Sequence, residues 1–293
     1  MKLFYKNILV VIVLIFPIYG HSMLPFQPSQ EKVEKSYDSK KELKKVRSIK
    51  WQKEKVRKGV SVKKANVELF NSKQAIFLLE IDTARAKLNY FAGMPEFLEP
   101  VSVQAQEQDA LFAINGSYFN MKEGPSIHFV KIDNKVAANT KVSEFKTRAT
   151  GVVTITDNQV DIEDWNMNDE YAEADDADYA VVCGPIVIDD KETMDMWDSD
   201  FVNKRHPRSF IGFSKGKLIL GVVDGRDPGR AEGMNLHELH TLARGLRCSD
   251  LLNLDGGGSS TLYVKGYSND GIVNVPSDGH ERPVKSIIYI KSR

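Results

Sequence analysis

Asp255 stands between a short apolar segment and three glycines, Gly256, Gly257 and Gly258. The apolar segment, residues 251–254, predicts a buried strand, and the glycines allow backbone to approach a ligand without a Cβ in the way. A carboxylate in this position could activate water or attack a bound molecule. A tight turn with a solvated aspartate is the alternative that this stretch alone leaves open.

The glycine-rich stretch differs from the phosphate-binding loop of nucleotide-binding proteins. Such a loop ends in Lys followed by Ser or Thr, and it opens a helix. Here Ser259 follows the glycines without a lysine, and residues 261–264 predict a second strand. The pattern therefore favours a ligand site of another kind.

Further polar residues stand where other predicted apolar strands end. They are Asn115 and Gly116, Arg208, Asp224, Arg226, Asn253 and Arg282. Guanidinium groups match phosphate oxygens in bidentate geometry, and paired carboxylates serve glycosyl transfer. The set therefore fits a ligand that carries both a phosphoryl group and a sugar. Each arginine taken alone could instead form a surface salt bridge.

Composition is that of a globular chain with balanced charge. Of the 293 residues 42% are hydrophobic, which is enough for a sizeable core, and 40 basic residues match 40 acidic ones. Nothing in this balance indicates binding to nucleic acid or to a membrane surface.

The two cysteines, Cys183 and Cys248, could form one bridge or remain small buried thiols. No metal-site spacing or histidine-rich cluster is present, so we expect neither a metal nor another cofactor; a divalent cation shared by Asp224 and Asp255 is the alternative.

The N-terminus has the pattern of an export signal. Lys2 and Lys6 precede an apolar run at residues 8–16, which is shorter than the roughly 20 residues of a spanning helix. We predict a signal peptide at residues 1–20, and an uncleaved anchor is the alternative. The protein is then expected to be periplasmic or extracellular, without stable membrane insertion beyond this segment. Residues 21–64 are rich in Lys and Glu and predict a charged linker or loosely attached helix that precedes a domain at 65–293.

The domain is predicted to be α+β, with twisted, largely antiparallel mixed sheets packed on two main helices. We expect helices at residues 100–109 and 234–246, the second with an apolar stripe and an N-terminal cap formed by Asn235 and Glu238. The predicted hairpins pair residues 75–81 with 86–91, and residues 209–213 with 217–223. Because this order of elements recurs, and residues 110–117 align with 250–257, we hypothesise an internal pseudo-duplication.

Several motifs occur together in an order that resembles the phosphodiester glycosidase family. They are Asn-Gly-Ser-Tyr-Phe from Asn115, Cys-Gly-Pro-Ile from Cys183, His-Pro-Arg from His206, Val-Asp-Gly-Arg from Val223, and Asn-Leu-Asp-Gly-Gly-Gly-Ser-Ser-Thr from Asn253. The resemblance covers about residues 59–290. Ser117, Met234 and an acidic insertion around 169–178 depart from the family pattern, which puts the preferred substrate in doubt more than the reaction class.

The resemblance implies hydrolysis of the bond between a sugar's anomeric carbon and a phosphodiester oxygen, on an envelope or exopolysaccharide glycan. Asp255 is then predicted as the principal catalytic carboxylate and Asp224 as its partner. The predicted phosphate-binding residues are Arg208, Arg226 and Arg282. The predicted substrate-binding residues are Asn115, Gly116, Asn253, Gly256, Gly257, Gly258 and Ser259. A non-catalytic sugar-phosphate binding module and a phosphodiesterase that cleaves the P–O bond remain open, as does the oligomeric state.

Overall fold

The computed structural model describes residues 39–145, 147–167, 174–193 and 196–293. All of them belong to one compact unit of the chain. The predicted signal peptide, the linker as far as residue 38 and part of the acidic insertion lie outside the described residues. Among the residues that are described, no helix is both long and apolar enough to cross a membrane.

Short strands dominate the secondary structure. The helices are α1 (Ser39–Arg47), α2 (Val101–Glu107), α3 (Asp200–Asn203) and α4 (Leu236–Leu246), and 3₁₀ turns lie at Val142–Glu144 and Gly257–Ser259. The strands are β1 (Gln52–Arg57), β2 (Val60–Leu69), β3 (Ser72–Asp82), β4 (Leu88–Gly93), β5 (Phe112–Asn115), β6 (Val130–Ile132), β7 (Lys135–Ala138), β8 (Gly151–Thr156), β9 (Gln159–Asp164), β10 (Tyr179–Cys183), β11 (Ile186–Asp189), β12 (Glu192–Thr193), β13 (Arg208–Ser214), β14 (Lys217–Val223), β15 (Cys248–Asn253), β16 (Leu262–Val264) and β17 (Ile287–Ser292).

The described strands form three antiparallel sheets. The eight-stranded sheet has the order β1-β2-β3-β14-β13-β15-β11-β12, the five-stranded sheet β7-β6-β10-β8-β9, and the four-stranded sheet β16-β5-β17-β4. The predicted antiparallel sheets are therefore confirmed. Helices α2 and α4 lie where they were expected, but the helices are short, so the fold is mainly β with a small α part.

One of the two predicted hairpins is present. Strands β13 and β14 pair along their whole length, from Arg208 opposite Val223 to Ser214 opposite Lys217. The hairpin predicted at residues 75–91 is wrong, because β3 pairs with β2 and β14 while β4 pairs with β17 in another sheet. The inward faces of β3 and β4 share one core cluster. A strand with alternating apolar residues can pair with its neighbour in sequence or pack against it across a core, so the pattern alone does not fix the pairing. The observed strand pairing does not follow the hypothesised duplication.

The charged segment predicted as a linker is part of the domain over residues 39–64. Strand β2 pairs with β3, and its Val60 and Val62 are buried in the main core. Helix α1 packs on α4, where the side chain of Val46 occupies the space that a Cβ at Gly245 would need. The apolar residues are too few for a core of their own, but they suffice to extend an existing one because the lysines face outward.

The N-terminus of α4 has the predicted cap. The Asn235 side chain accepts a hydrogen bond from the Glu238 amide at 2.8 Å, and the Glu238 carboxylate accepts one from the Asn235 amide at 3.0 Å. The fully buried Glu238 also pairs with Arg205, at 2.7 Å between Oε1 and Nη2. The structural role of Glu238 is confirmed, since its carboxylate serves both the helix and a buried ion pair.

We expect Glu238→Ala to lower the free energy of unfolding by about 2–4 kcal/mol, because it removes the cap and leaves the Arg205 charge poorly compensated. Glu232→Ala is the matched control. It removes the other, more exposed partner of Arg205 and should cost about 1 kcal/mol or less. Denaturant unfolding of the three proteins measures both values, and equal losses would contradict the role assigned to Glu238.

Candidate active site

The glycine loop, residues 255–258, connects two different sheets. It leaves β15 in the eight-stranded sheet and enters β16 in the four-stranded sheet through a 3₁₀ turn. The Asp255 amide donates to the Gly116 carbonyl at 3.0 Å, and the Gly257 amide donates to the Pro207 carbonyl at 2.9 Å. The loop is therefore held by the residue that follows β5 and the residue that precedes β13. The alternative of a tight turn with a solvated aspartate is wrong, because β15 and β16 lie in different sheets and Asp255 is partly buried.

Asn115 and Asn253 lie beneath the loop, and both are fully buried. Asn115 donates to the Asp255 carbonyl at 2.6 Å and accepts from the Ser209 hydroxyl at 2.7 Å. Asn253 donates to the Tyr118 hydroxyl at 2.9 Å. The two amides thus connect the loop to the surrounding strands, and Asn115 directly fixes the backbone of Asp255.

Two guanidinium groups pack against the glycines. Gly257 has φ +64°, and a Cβ there would lie 3.0 Å from Arg226 Nη2. A Cβ at Gly258 would collide with the guanidinium of Arg282. The missing side chains therefore make room for two cations beside Asp255. Gly256 serves the backbone instead, since a Cβ there would lie 2.6 Å from the Pro207 carbonyl oxygen.

The Asp255 carboxyl is partly buried and titrates close to neutral pH. Burial raises its pKa from 3.8 to about 6, and the nearby Ser259 hydroxyl and Arg282 charge only partly oppose this rise. At neutral pH most molecules therefore carry the ionised form. A carboxylate of this basicity suits a general base better than an ordinary surface aspartate does.

Buried polar atoms without a hydrogen-bond partner cluster around the loop. Among the described residues they include Asn253 Oδ1, Ser260 Oγ and Thr261 Oγ1. An unsatisfied buried group costs about 1–3 kcal/mol. Native proteins seldom keep several in one place unless a ligand or water satisfies them. The cluster is a second, independent indication of a ligand site at the glycine loop.

Asp224 directly follows β14, and β13 separates β14 from β15, the strand that leads into the glycine loop. It is buried, and its carboxylate accepts hydrogen bonds from Arg230 at 2.7 Å and from Asn274 at 3.0 Å. Burial raises its pKa, and the Arg230 hydrogen bond opposes that effect. Asn274 donates in turn to the Ser260 carbonyl at 3.0 Å. Asp224 therefore reaches the loop through Asn274.

The three predicted phosphate-binding arginines have different environments. Arg208 is buried and donates to the carbonyls of Met234 at 2.9 Å and Phe201 at 2.8 Å. Burial lowers its pKa to about 10, so it remains charged at neutral pH. Arg282 is held by Asp278 at 2.7 Å. Arg226 is exposed at φ +62°, and its guanidinium has no ion-pair partner among the residues that the structure describes.

Arg148 is a site residue that sequence analysis missed. Its Nε lies 2.9 Å from Glu144 Oε2, and its guanidinium lies over the Tyr118 ring, 5.1 Å from the centroid. Its positive charge helps to hold down the pKa of Asp255, which burial raises. No sequence signal distinguishes Arg148, because it follows an irregular turn and only long-range packing brings it to the loop.

We expect Arg148→Met to raise the pKa of Asp255 further above 6, since a compensating positive charge is lost. For any activity that needs ionised Asp255, the acidic limb of the pH profile would then move to higher pH by about half a unit to one unit. The pH dependence of kcat/KM measures the shift. Arg244→Met, on the last turn of α4, is the control, and an unchanged limb in Arg148→Met would contradict the coupling.

Other ligand-forming groups are sparse in the described part of the chain. It contains no cluster of three or more His, Cys, Asp or Glu side chains that could hold a metal ion. Cys183 and Cys248 are both buried free thiols. The alternative of a bridge between them is therefore wrong.

The structure combines a mainly antiparallel β fold with a carboxylate of raised pKa on a glycine loop, next to guanidinium groups that suit an anionic ligand. A carboxylate with a perturbed pKa beside such charges is a candidate catalytic group. The chain belongs to the phosphodiester glycosidase family, which it matches over residues 108–291.

Two curated relatives match shorter parts of the chain. The SPbeta prophage-derived uncharacterized protein YomE of Bacillus subtilis is 38% identical over 90 residues, which are 30% of this chain and 13% of that protein. The N-acetylglucosamine-1-phosphodiester alpha-N-acetylglucosaminidase of Mus musculus is 37% identical over 81 residues, which are 27% of this chain and 14% of that enzyme. The chain thus spans only a small part of each relative.

Solved structures share the fold over most of the chain. The catalytic domain of zebrafish N-acetylglucosamine-1-phosphodiester alpha-N-acetylglucosaminidase superposes with a TM-score of 0.64 at 18% identity, covering 80% of this chain and 83% of that one. A hypothetical protein from Synechocystis superposes with a TM-score of 0.62 at 14% identity, covering 80% and 62%. At these identities the likeness concerns the fold alone.

Proposed function

We propose that this protein hydrolyses a sugar-1-phosphodiester to free sugar and a phosphomonoester. The observation that carries the proposal is the position of Asp255, whose pKa of about 6 accompanies two guanidinium groups packed on the adjacent glycines. This combination offers a base or nucleophile next to binding groups for one anionic phosphoryl group. Membership of the phosphodiester glycosidase family supports the same reaction.

Arg226 and Arg282 are the proposed phosphate-binding residues. A phosphodiester carries one negative charge, and the phosphomonoester that is released gains a second ionisation with a pKa of about 6. Two cations would therefore bind the transition state, where charge accumulates on the leaving phosphate, more tightly than the substrate. Such a difference in binding accelerates a reaction.

Asp255 is the proposed catalytic carboxylate. The bond between the anomeric carbon and the phosphate oxygen breaks, and the phosphomonoester leaves with the electron pair. The oxygen of a water molecule ends on the anomeric carbon, after Asp255 either removes the water's proton or attacks that carbon first. Since phosphate leaves readily, the reaction needs a strong general acid less than ordinary glycoside hydrolysis does.

Several residues are better explained as positioning groups than as ligand contacts. Arg208 and Asn115 direct their polar groups to the protein itself beneath the loop. Asp224 is paired with Arg230 and acts on the loop through Asn274. We therefore propose that Asp224 supports the backbone around Ser260, in place of the role as second catalytic carboxylate that was predicted from the sequence. The hydroxyl of Ser259 remains a proposed ligand contact.

N-Acetylglucosamine is the sugar that we propose, on the basis of the similarity to the murine enzyme. The export signal predicted at residues 1–20 supports an extracytoplasmic site of action on envelope or exopolysaccharide glycans.

Hydrolysis in ¹⁸O-labelled water tests the reaction. The substrate is N-acetylglucosamine-1-phosphomethyl ester, and mass spectrometry of both products locates the label. We expect the label in the sugar, because glycosidic cleavage joins water oxygen to the anomeric carbon. Label in the phosphate would identify a phosphodiesterase, and tight binding without turnover would identify a binding module; either result would contradict the proposal.

A further inference from the structure

A cavity of about 530 Å³ lies outside the glycine loop, and its lining includes Met121, which contacts Arg282. This volume is within the range of small-molecule sites, about 300–1,000 Å³. Much of its lining is apolar, contributed by Met94, Phe97, Leu98, Met121, Pro125 and Ala138. The side chains of Phe97 and Met121 are 73% and 63% exposed, which is unusual for such large apolar groups.

Four charged side chains line the cavity, and two of them, Lys285 and Glu123, have partners within the protein. The ammonium group of Lys285 donates to the carbonyls of Pro95 at 2.8 Å and Glu96 at 2.7 Å. The Glu123 carboxylate accepts a hydrogen bond from Asn120 at 2.8 Å. The other two, Glu96 and Lys122, carry opposite charges, so the lining has no excess of positive charge that would select a second anion. The aromatic and thioether surface therefore favours an apolar group.

Arg282 connects this cavity with the glycine loop. Its Nη1 lies 3.7 Å from the sulfur of Met121, while its Nη2 occupies the space next to Gly258. If Arg282 binds the phosphoryl group of the diester, the anomeric carbon of the sugar lies on the side of Asp255. The other ester arm, which carries the alcohol, would leave on the side of Met121.

We propose that the cavity next to Met121 and Phe97 is the subsite for the alcohol arm of the substrate, and that it selects an alkyl or aryl alcohol. The orientation of the diester rests on the proposed function. The apolar selectivity rests on the exposed side chains, and it can be measured without turnover.

Binding of two phosphomonoesters tests the cavity independently of catalysis. By calorimetry, octyl phosphate should bind the full chain at least about tenfold more tightly than methyl phosphate, because only the longer chain buries apolar surface. Phe97→Ala and Met121→Ala should each remove most of this preference and leave the affinity for methyl phosphate unchanged. Val142→Ala changes an apolar residue that is 75% exposed outside the cavity, and it should have no effect.

Hydrolysis of octyl and methyl diesters of N-acetylglucosamine-1-phosphate separates the two proposals. We expect Phe97→Ala to lower kcat/KM about tenfold for the octyl diester only. An octyl preference in binding with no hydrolysis of either diester would support the apolar subsite and contradict the proposed function. Equal affinities for octyl and methyl phosphate, or equal losses for both in Phe97→Ala, would overturn the subsite.

Discussion

Asp255→Asn is expected to lower kcat/KM for a sugar-1-phosphodiester about 10³-fold or more, because an amide neither accepts a proton from water nor attacks the anomeric carbon. The amide has nearly the same shape, and the substitution keeps the backbone hydrogen bonds of residue 255 to Asn115 and Gly116. The variant should therefore fold normally. Steady-state kinetics measures the loss, and circular dichroism checks the fold.

The same substitution should stabilise the protein at neutral pH. Burial raises the pKa of Asp255 from 3.8 to about 6, so the folded state binds its proton more tightly than the unfolded state does. The ionised carboxylate therefore costs stability above pH 6, and the cost disappears below pH 4. Since the asparagine has no charge, we expect Asp255→Asn to gain about 1–3 kcal/mol at pH 7.5 and almost nothing at pH 4.

Asp161→Asn is the matched control, because it makes the same chemical change at an exposed strand position. Its kinetics and stability should remain close to those of the unchanged protein. Near-normal turnover of Asp255→Asn would disprove the catalytic assignment. A stability gain that does not depend on pH would instead show that the raised pKa is not its cause.

Arg226→Ala is expected to lower kcat/KM about 10²-fold to 10³-fold, which is the usual effect of removing one group that stabilises developing negative charge. Arg226 is exposed and lies over Gly257, and it adopts a left-handed backbone conformation that is costly for a side chain with a Cβ. Strain of this kind is common at functional sites. Arg226→Lys should recover part of the activity, since it restores the charge without the bidentate geometry.

Arg230→Ala provides the comparison within the same turn. Arg230 pairs with the buried carboxylate of Asp224 at 2.7 Å, so its removal should cost about 1–3 kcal/mol of stability. Arg226→Ala should change stability by about 0.5 kcal/mol or less, because its side chain has no ion pair within the described residues. Kinetics and denaturant unfolding of both variants test the assignment. A large stability loss in Arg226→Ala would contradict it.

Local sequence signals predicted the elements whose causes are local. The Asn235–Glu238 cap and the apolar stripe of α4 lie within a few turns of one another, and the hairpin of β13 and β14 needs only one short turn. Backbone freedom at Gly256, Gly257 and Gly258 likewise follows from residue type alone. These features, with the order of the motifs, were enough to indicate the glycine loop and its carboxylate.

Features that depend on which elements meet were decided by the tertiary structure. The sequence cannot distinguish an arginine beneath the loop, such as Arg208, from one beside it, such as Arg226, because both adjoin apolar strands: Arg208 begins β13 and Arg226 follows β14. The split of β3 and β4 between two sheets and the inclusion of residues 39–64 depend on packing across the core. Sequence alone determined a carboxylate among glycines. Only the fold decided which cations surround it, because burial and distance arise from contacts between residues far apart in the chain.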